Sequence, residues 1–156
     1  MEFKVGQIFA TDEEKLQVAI AEAHLGLAEG GIPIGAALFD EEGRLLGSGR
    51  NRRVQDGDAS MHGETSAFRN AGRQRSYRKV TLATSLSPCW YCSGLIRQFG
   101  IGRVLVGDDK NFMGGQDWVA EHGAEVHVMN DPGLIEIMRE FIEANDALWN
   151  EDIGED

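Results

Sequence analysis

Two cysteines are all that the 156-residue chain contains, and they stand three positions apart. So close a pair cannot build a disulfide framework. It points instead to metal or redox chemistry in a reducing compartment, which makes the cytoplasm the expected location. Prolines are nearly as scarce, three in all, and no Ser/Gly linker, repeat or low-complexity tract interrupts the chain before a short acidic end. No apolar run reaches the length of a membrane span, and Met1–Ala10 lacks the basic-then-apolar order of a secretory leader, so no membrane partner is expected. Basic residues are in deficit: 15 Lys and Arg face 26 Asp and Glu, a formal net charge of −11. That balance argues against a broad basic face for gripping phosphate backbones, and no nucleic-acid partner is expected.

What is present reads as one soluble domain over residues 1–156. Apolar residues make up 42% and charged residues 26%, and the length suffices to bury a core without cross-links. Thr11–Ala28 places Leu16, Ala19, Ile20, Ala23 and Leu27 on one helical face, and Gly30-Gly31 stops it. Ile34–Phe39 and Arg44–Gly49, joined by the turn residues Asp40–Gly43, predict an antiparallel hairpin. Strand and helix then alternate: helix from His62 to Asn70, strand from Val80 to Ser85, and helix from Ser87 to Gly100 with Ser87 as N-cap. The series continues with strand from Arg103 to Gly107, helix from Gly115 to His122, strand from Glu125 to Met129, and a helix opened by Asp131-Pro132. A hairpin followed by strand–helix repeats implies an α/β fold, a three-layer α/β/α sandwich around a mixed sheet. Its strands from Val80 onward are expected to be parallel and buried.

The chemistry concentrates in His62-Gly63-Glu64 and Pro88-Cys89-Trp90-Tyr91-Cys92. Cys-x-x-Cys alone is a weak signal, shared by redox motifs and half zinc sites. A thioredoxin-like reading requires the pair after the first strand of a βαβ unit. Here it follows a later strand, and a His-x-Glu precedes it. Cys89 and Cys92 lie i and i+3 at a predicted helix start, so both sulfurs project from one face. The helix N-terminus favours the thiolate that Zn2+ requires. His62 supplies a third ligand, and no further cysteine exists to close the site. Three protein ligands leave one position of a tetrahedral ion open to water, the arrangement of catalytic zinc. Glu64 is better placed as an acid beside that water, able to move its proton, than as a ligand. His-x-Glu with Pro-Cys-x-x-Cys is the established zinc deaminase signature. His24, His122 and His127 are expected to be structural or surface imidazoles, and Met113, Met129 and Met138 ordinary packing.

Nearly end to end, the chain resembles the cytidine/deoxycytidylate deaminase superfamily, and within it the fungal-type cytosine deaminases that act on the free base. The resemblance runs through Glu29-Gly30-Gly31-Ile32-Pro33-Ile34-Gly35, Asn51, the zinc motifs, Leu86-Ser87-Pro88, Asn111-Phe112 and Trp149-Asn150-Glu151-Asp152-Ile153-Gly154-Glu155. It implies a homodimer of α/β/α subunits, each with a five-stranded sheet and one zinc ion. It further implies that Asn51 and the Gly63 N–H hold the 2-oxo and N1 edge of the base, and that Glu64 shuttles protons at N3. By the same resemblance Asp152 and the Ser87 carbonyl accept from the 4-amino group. Phe112 and Trp149 form aromatic walls, and a segment from about 145 to 156 acts as a lid. The sequence departs from the fungal pattern at Trp90-Tyr91, which is bulkier, and at Met113-Gly114-Gly115.

The expected reaction is hydrolysis of cytosine to uracil and ammonia, as a step of pyrimidine salvage. Alternatives are a deaminase of the same fold acting on guanine, isocytosine, a 5-substituted cytosine or a nucleoside, and, more remotely, an idle zinc-binding structural module.

Overall fold

The computed structural model describes residues 2–155. Met1, and Asp156 at the end of the expected lid, lie outside the described residues. The first helix, α1, spans Asp12–Ala28. Thr11 caps it in extended conformation, its Oγ1 accepting from the Glu14 N–H at 3.2 Å, and three acids in the first turn complement the helix dipole. The hairpin forms as expected from β1 (Gly35–Phe39) and β2 (Leu45–Arg50). Next come the short α2 (Arg53–Asp56), α3 (Gly63–Ala71), β3 (Thr81–Thr84), α4 (Trp90–Phe99) and β4 (Arg103–Val106). The chain ends through α5 (Gln116–Glu121), β5 (Glu125–Val128), α6 (Pro132–Ala144) and α7 (Asp146–Ile153).

The sheet order is β2-β1-β3-β4-β5, antiparallel where β1 meets β2 and β3, and parallel from β3 to β5. Alternate strand residues feed two cores. Ala37, Phe39, Ala83 and Leu105 pack with Leu16, Ala19 and Ala23 of α1 and Leu134 of α6. Leu38, Leu82, Val104 and Val106 pack with Ala67 of α3, Ile96 of α4 and Val119 of α5. The three-layer expectation holds. Close approach is obtained with glycine: a Cβ on Gly35 would stand 2.3 Å from the Ala19 carbonyl, and one on Gly49 2.4 Å from Ser66 Oγ. Helices α1 and α3 therefore lie directly on the hairpin, which brings the start of α3 over the sheet.

Two expectations need correction. Burial of the strands holds for β3 and β4 but not β5, whose residues are exposed or half-buried because it forms the open edge. And α4 starts at Trp90 rather than after Ser87. Ser87 cannot cap it, because its N–H donates to Asp108 O at 2.8 Å and its hydroxyl to Gln116 Oε1 at 2.8 Å. Residues up to Pro88 thus stay outside the helix, and Cys89, in extended conformation, becomes the N-cap.

Arg103 of β4 grips the Asp12 carboxylate through two hydrogen bonds of 2.6 Å, fastening α1 to the sheet. That bonding holds the Asp12 carboxyl below its ordinary 3.8. Since the folded-state value is the lower one, the stabilisation is fully present above the unfolded pKa and is lost as pH falls through the folded value. Asp12→Asn should cost at most about 1 kcal/mol at pH 7, the pair being about a third exposed. Denaturant unfolding repeated between pH 5 and pH 3 should show a shallower loss of stability in the variant; identical slopes would refute the assignment.

Candidate active site

Two helix N-termini converge above the sheet, and each contributes its capping residue to one cluster. His62 is the N-cap of α3, held by its N–H donating to Thr65 Oγ1 at 2.8 Å, while Thr65 donates to Ser60 O at 2.7 Å. Cys89 is the N-cap of α4, and Cys92, wholly buried, is its third residue. Cys89 Sγ lies 3.6 Å from His62 Nδ1, and the ligand atoms of His62, Cys89 and Cys92 are all within 4.8 Å of one another. The Tyr91 ring meets the His62 ring edge-on at 5.1 Å between centroids, and its hydroxyl donates to Ser60 O at 3.2 Å. The bulky residue between the cysteines thus braces the imidazole.

The donor set fits zinc: two sulfurs and one imidazole nitrogen within a tetrahedral ion's reach, with no fourth His, Cys, Asp or Glu in the group among the described residues. The protons shared by these donors are those a dication displaces. The Cys92 thiol donates to Cys89 and, against burial, brings the Cys89 thiol down to about 4, with His62 assisting. Having given that hydrogen bond, and being buried, Cys92 is itself pushed well above the usual thiol range. Burial opposes charge on His62, but the Cys89 hydrogen bond and the charges of Glu64 and Asp152 prevail and lift it to about 9. Burial also lifts the Glu64 carboxyl to about 7, with the Cys89 charge adding to the effect.

Beside the cluster is a small cavity. Asn51, His62, Gly63, Glu64, Ser87, Cys89, Phe112, Trp149 and Asp152 line it. Nine of the ten residues expected at the site therefore face one space; the tenth, Cys92, sits behind it in the metal cluster. The N–H and hydroxyl of Ser87 are engaged by Asp108 and Gln116. The Gly63 N–H is in the first turn of α3, where no intrahelical acceptor exists. Trp149 is buried on Ile32, Ile34, Leu86, Met138 and Phe141, and meets Phe112 at 5.6 Å with rings perpendicular. This packing holds α7 against the cavity. Met113, expected as packing, is instead 51% exposed at the cavity's outer mouth.

Asn51 is fully buried. Its N–H donates to Ile34 O at 2.9 Å, its Oδ1 accepts from the Arg53 N–H at 3.0 Å, and its Nδ2 donates to Asp152 Oδ1 at 3.1 Å. Those partners fix which way the amide points. The sequence reading missed Arg53 and the apolar lining residues Ile34, Leu86 and Ile153. A buried carboxylate on an acidic terminal helix demands a cation, and that demand was the available signal for Arg53.

The fold and this site are those of a zinc-binding nucleobase and nucleotide deaminase, and the chain belongs to the cytidine and deoxycytidylate deaminase family, whose zinc-binding region matches residues 9–108. Among curated relatives, the cytosine deaminase of Candida albicans is 43% identical over 146 residues, covering 92% of this chain and 97% of that protein. The tRNA-specific adenosine deaminase of Haemophilus influenzae is 34% identical over 99 residues, covering 62% of this chain and 57% of its own length. A solved structure of guanine deaminase from Nitrosomonas europaea superposes with a TM-score of 0.74 at 20% identity, covering 87% of each chain, a likeness of fold.

Proposed function

We propose that the chain hydrolyses the exocyclic C–N bond of a free nucleobase, converting cytosine and water to uracil and ammonia. The observation that carries this reading is that Trp149 and Asp152 of α7, both buried, line the same small cavity as Asn51, His62 and Glu64. With α7 acting as a lid over that cavity, the site takes a flat base and refuses a ribose or a polynucleotide. The 43% identity to a cytosine deaminase over nearly its whole length supports the same base.

Zinc, held by His62, Cys89 and Cys92, supplies Lewis acidity that lowers the pKa of a water toward neutrality. Around it the protein positions and moves protons. Asn51 Nδ2 and the Gly63 N–H donate to the 2-oxo group, and the second lone pair of Asn51 Oδ1 accepts from N1–H. The Ser87 carbonyl and Asp152 accept from the 4-amino group. Phe112 and Trp149 sandwich the ring and exclude bulk water. Glu64 takes one proton from the attacking water and gives it to N3; as the C4–N bond breaks, it passes the second to the departing amine. Water's oxygen stays on C4, and ammonia leaves.

Residues 1–156 act as one domain, with the α7 segment as its lid. The enzyme works in the cytoplasm, reclaiming pyrimidine bases, as a homodimer. The apolar side chains that α4 leaves exposed, Trp90 at 65%, Tyr91 at 50% and Phe99 at 45%, support association of two copies through that layer.

Ammonia release from cytosine, 5-methylcytosine, isocytosine, guanine, adenine and cytidine tests the reading. Cytosine should be turned over and cytidine refused. Turnover of a purine without cytosine would replace the substrate, and a zinc-loaded protein inactive on all six would favour an idle module.

A further inference from the structure

A cation 99 positions earlier in the chain reaches the α7 side of the cavity. Arg53 opens α2, only 15% exposed at its side chain, and its Nε donates to Asp152 Oδ1 at 2.9 Å. Its Nη1 donates to Glu151 Oε2 at 3.1 Å, so both acids of the α7 pair are held by one guanidinium. Asn51 Nδ2 donates to the same Asp152 Oδ1, and the Arg53 N–H donates to Asn51 Oδ1, closing a three-residue ring. Both donors to Asp152 converge on Oδ1, which leaves Oδ2 as the oxygen free to accept from a ligand. The Asp152 side chain is only 3% exposed, and a carboxylate so buried is costly unless paired.

We propose that Arg53 is a positioning residue that orients Asp152, turning Oδ1 into the protein and Oδ2 toward the base, and so sets the preference for an amino group over a carbonyl at that position. The inference rests on the reading of Asp152 as the acceptor of the amino group. An oriented carboxylate oxygen accepts from the N–H of the substrate amine, but it faces the lone pairs of the carbonyl that replaces that amine in the product. Arg53 thereby favours substrate binding and product departure through one contact. A planar fork spanning Asp152 and Glu151 is a task for Arg; a lysine ammonium reaches one of them as a point charge.

The test is a double-mutant cycle on the zinc-loaded enzyme, reading kcat, KM for cytosine and the inhibition constant of uracil. Arg53→Met should raise KM at least about tenfold, as loss of a charge-assisted hydrogen bond does, while kcat falls less. It should also narrow the ratio of the uracil inhibition constant to KM, and leave zinc content unchanged. Arg53→Lys should recover part of KM. In R53M/D152N the loss should be no greater than in D152N alone. Additive losses, or an unchanged uracil-to-cytosine ratio in R53M, would reduce Arg53 to a structural ion pair and overturn the proposal. If D152N itself leaves KM unchanged, the underlying reading of Asp152 fails instead. Should R53M not fold, R53K carries the test: wild-type KM and ratio in R53K would refute the need for the fork.

Discussion

Glu64→Gln is expected to retain one zinc per chain yet lose at least about 10²-fold in kcat, the lower end of what a positioned acid–base group contributes. The amide keeps the shape of the carboxyl and can still donate to N3, but it cannot accept the proton of the attacking water. The prediction draws its force from placement. Glu64 is 4% exposed, so bulk water has little access to take over the transfer. It belongs to the first turn of α3, two residues after His62, which caps that helix, so one local structure sets both metal ligand and proton carrier. Metal analysis beside steady-state rates decides the matter. Near-normal kcat would remove Glu64 from the reaction, and loss of zinc would show that it supports the ligands instead. A fall in kcat with little change in KM is the pattern of an interaction made in the transition state.

The parts of this site that could be read from the sequence are the local ones. His62, Glu64, Cys89 and Cys92 lie within a single turn of two helix starts, so spacing alone brings each pair together. The hairpin and the parallel strands were similarly legible, since alternation and turn residues act over a few positions. What escaped depends on distant partners. The start of α4 was misplaced because Ser87 is committed to Asp108 and Gln116. The ion pair of Arg53 with Asp152 crosses 99 positions, and nothing around Arg53 marks it. Strand β5 is expected to be buried as one of the parallel strands from Val80 onward; its position at the sheet edge exposes it.

Whole-chain charge hides a local pattern. From Thr65 to Gly107 there is no Asp or Glu, while Arg69, Arg73, Arg75, Arg78, Lys79, Arg97 and Arg103 fall in that stretch. The excess of acid lies entirely elsewhere. A sum of −11 therefore says little about the local charge of α3 and α4.

Cys92→Ala should abolish stoichiometric zinc and all turnover with it. Of the three ligands Cys92 is the one without access to solvent, so no water can replace its sulfur without entering a packed core. Three donors are already the minimum for holding a catalytic ion with one position free, and two leave it exchangeable. The loss should also be thermodynamic. An ion bound at a thousandfold excess over its Kd stabilises the folded state by about 4 kcal/mol, which for a domain of this size is about 10 °C in Tm. Zinc addition should therefore raise the Tm of wild-type protein and leave that of Cys92→Ala in place. Chelator should lower the wild-type Tm toward that of the variant. The cavity left by alanine costs a further, zinc-independent increment, so the difference in zinc response between the two proteins, not the absolute Tm, is the measurement that bears on ligation. A full metal complement in Cys92→Ala, or an equal zinc response in both, would reject this ligand set.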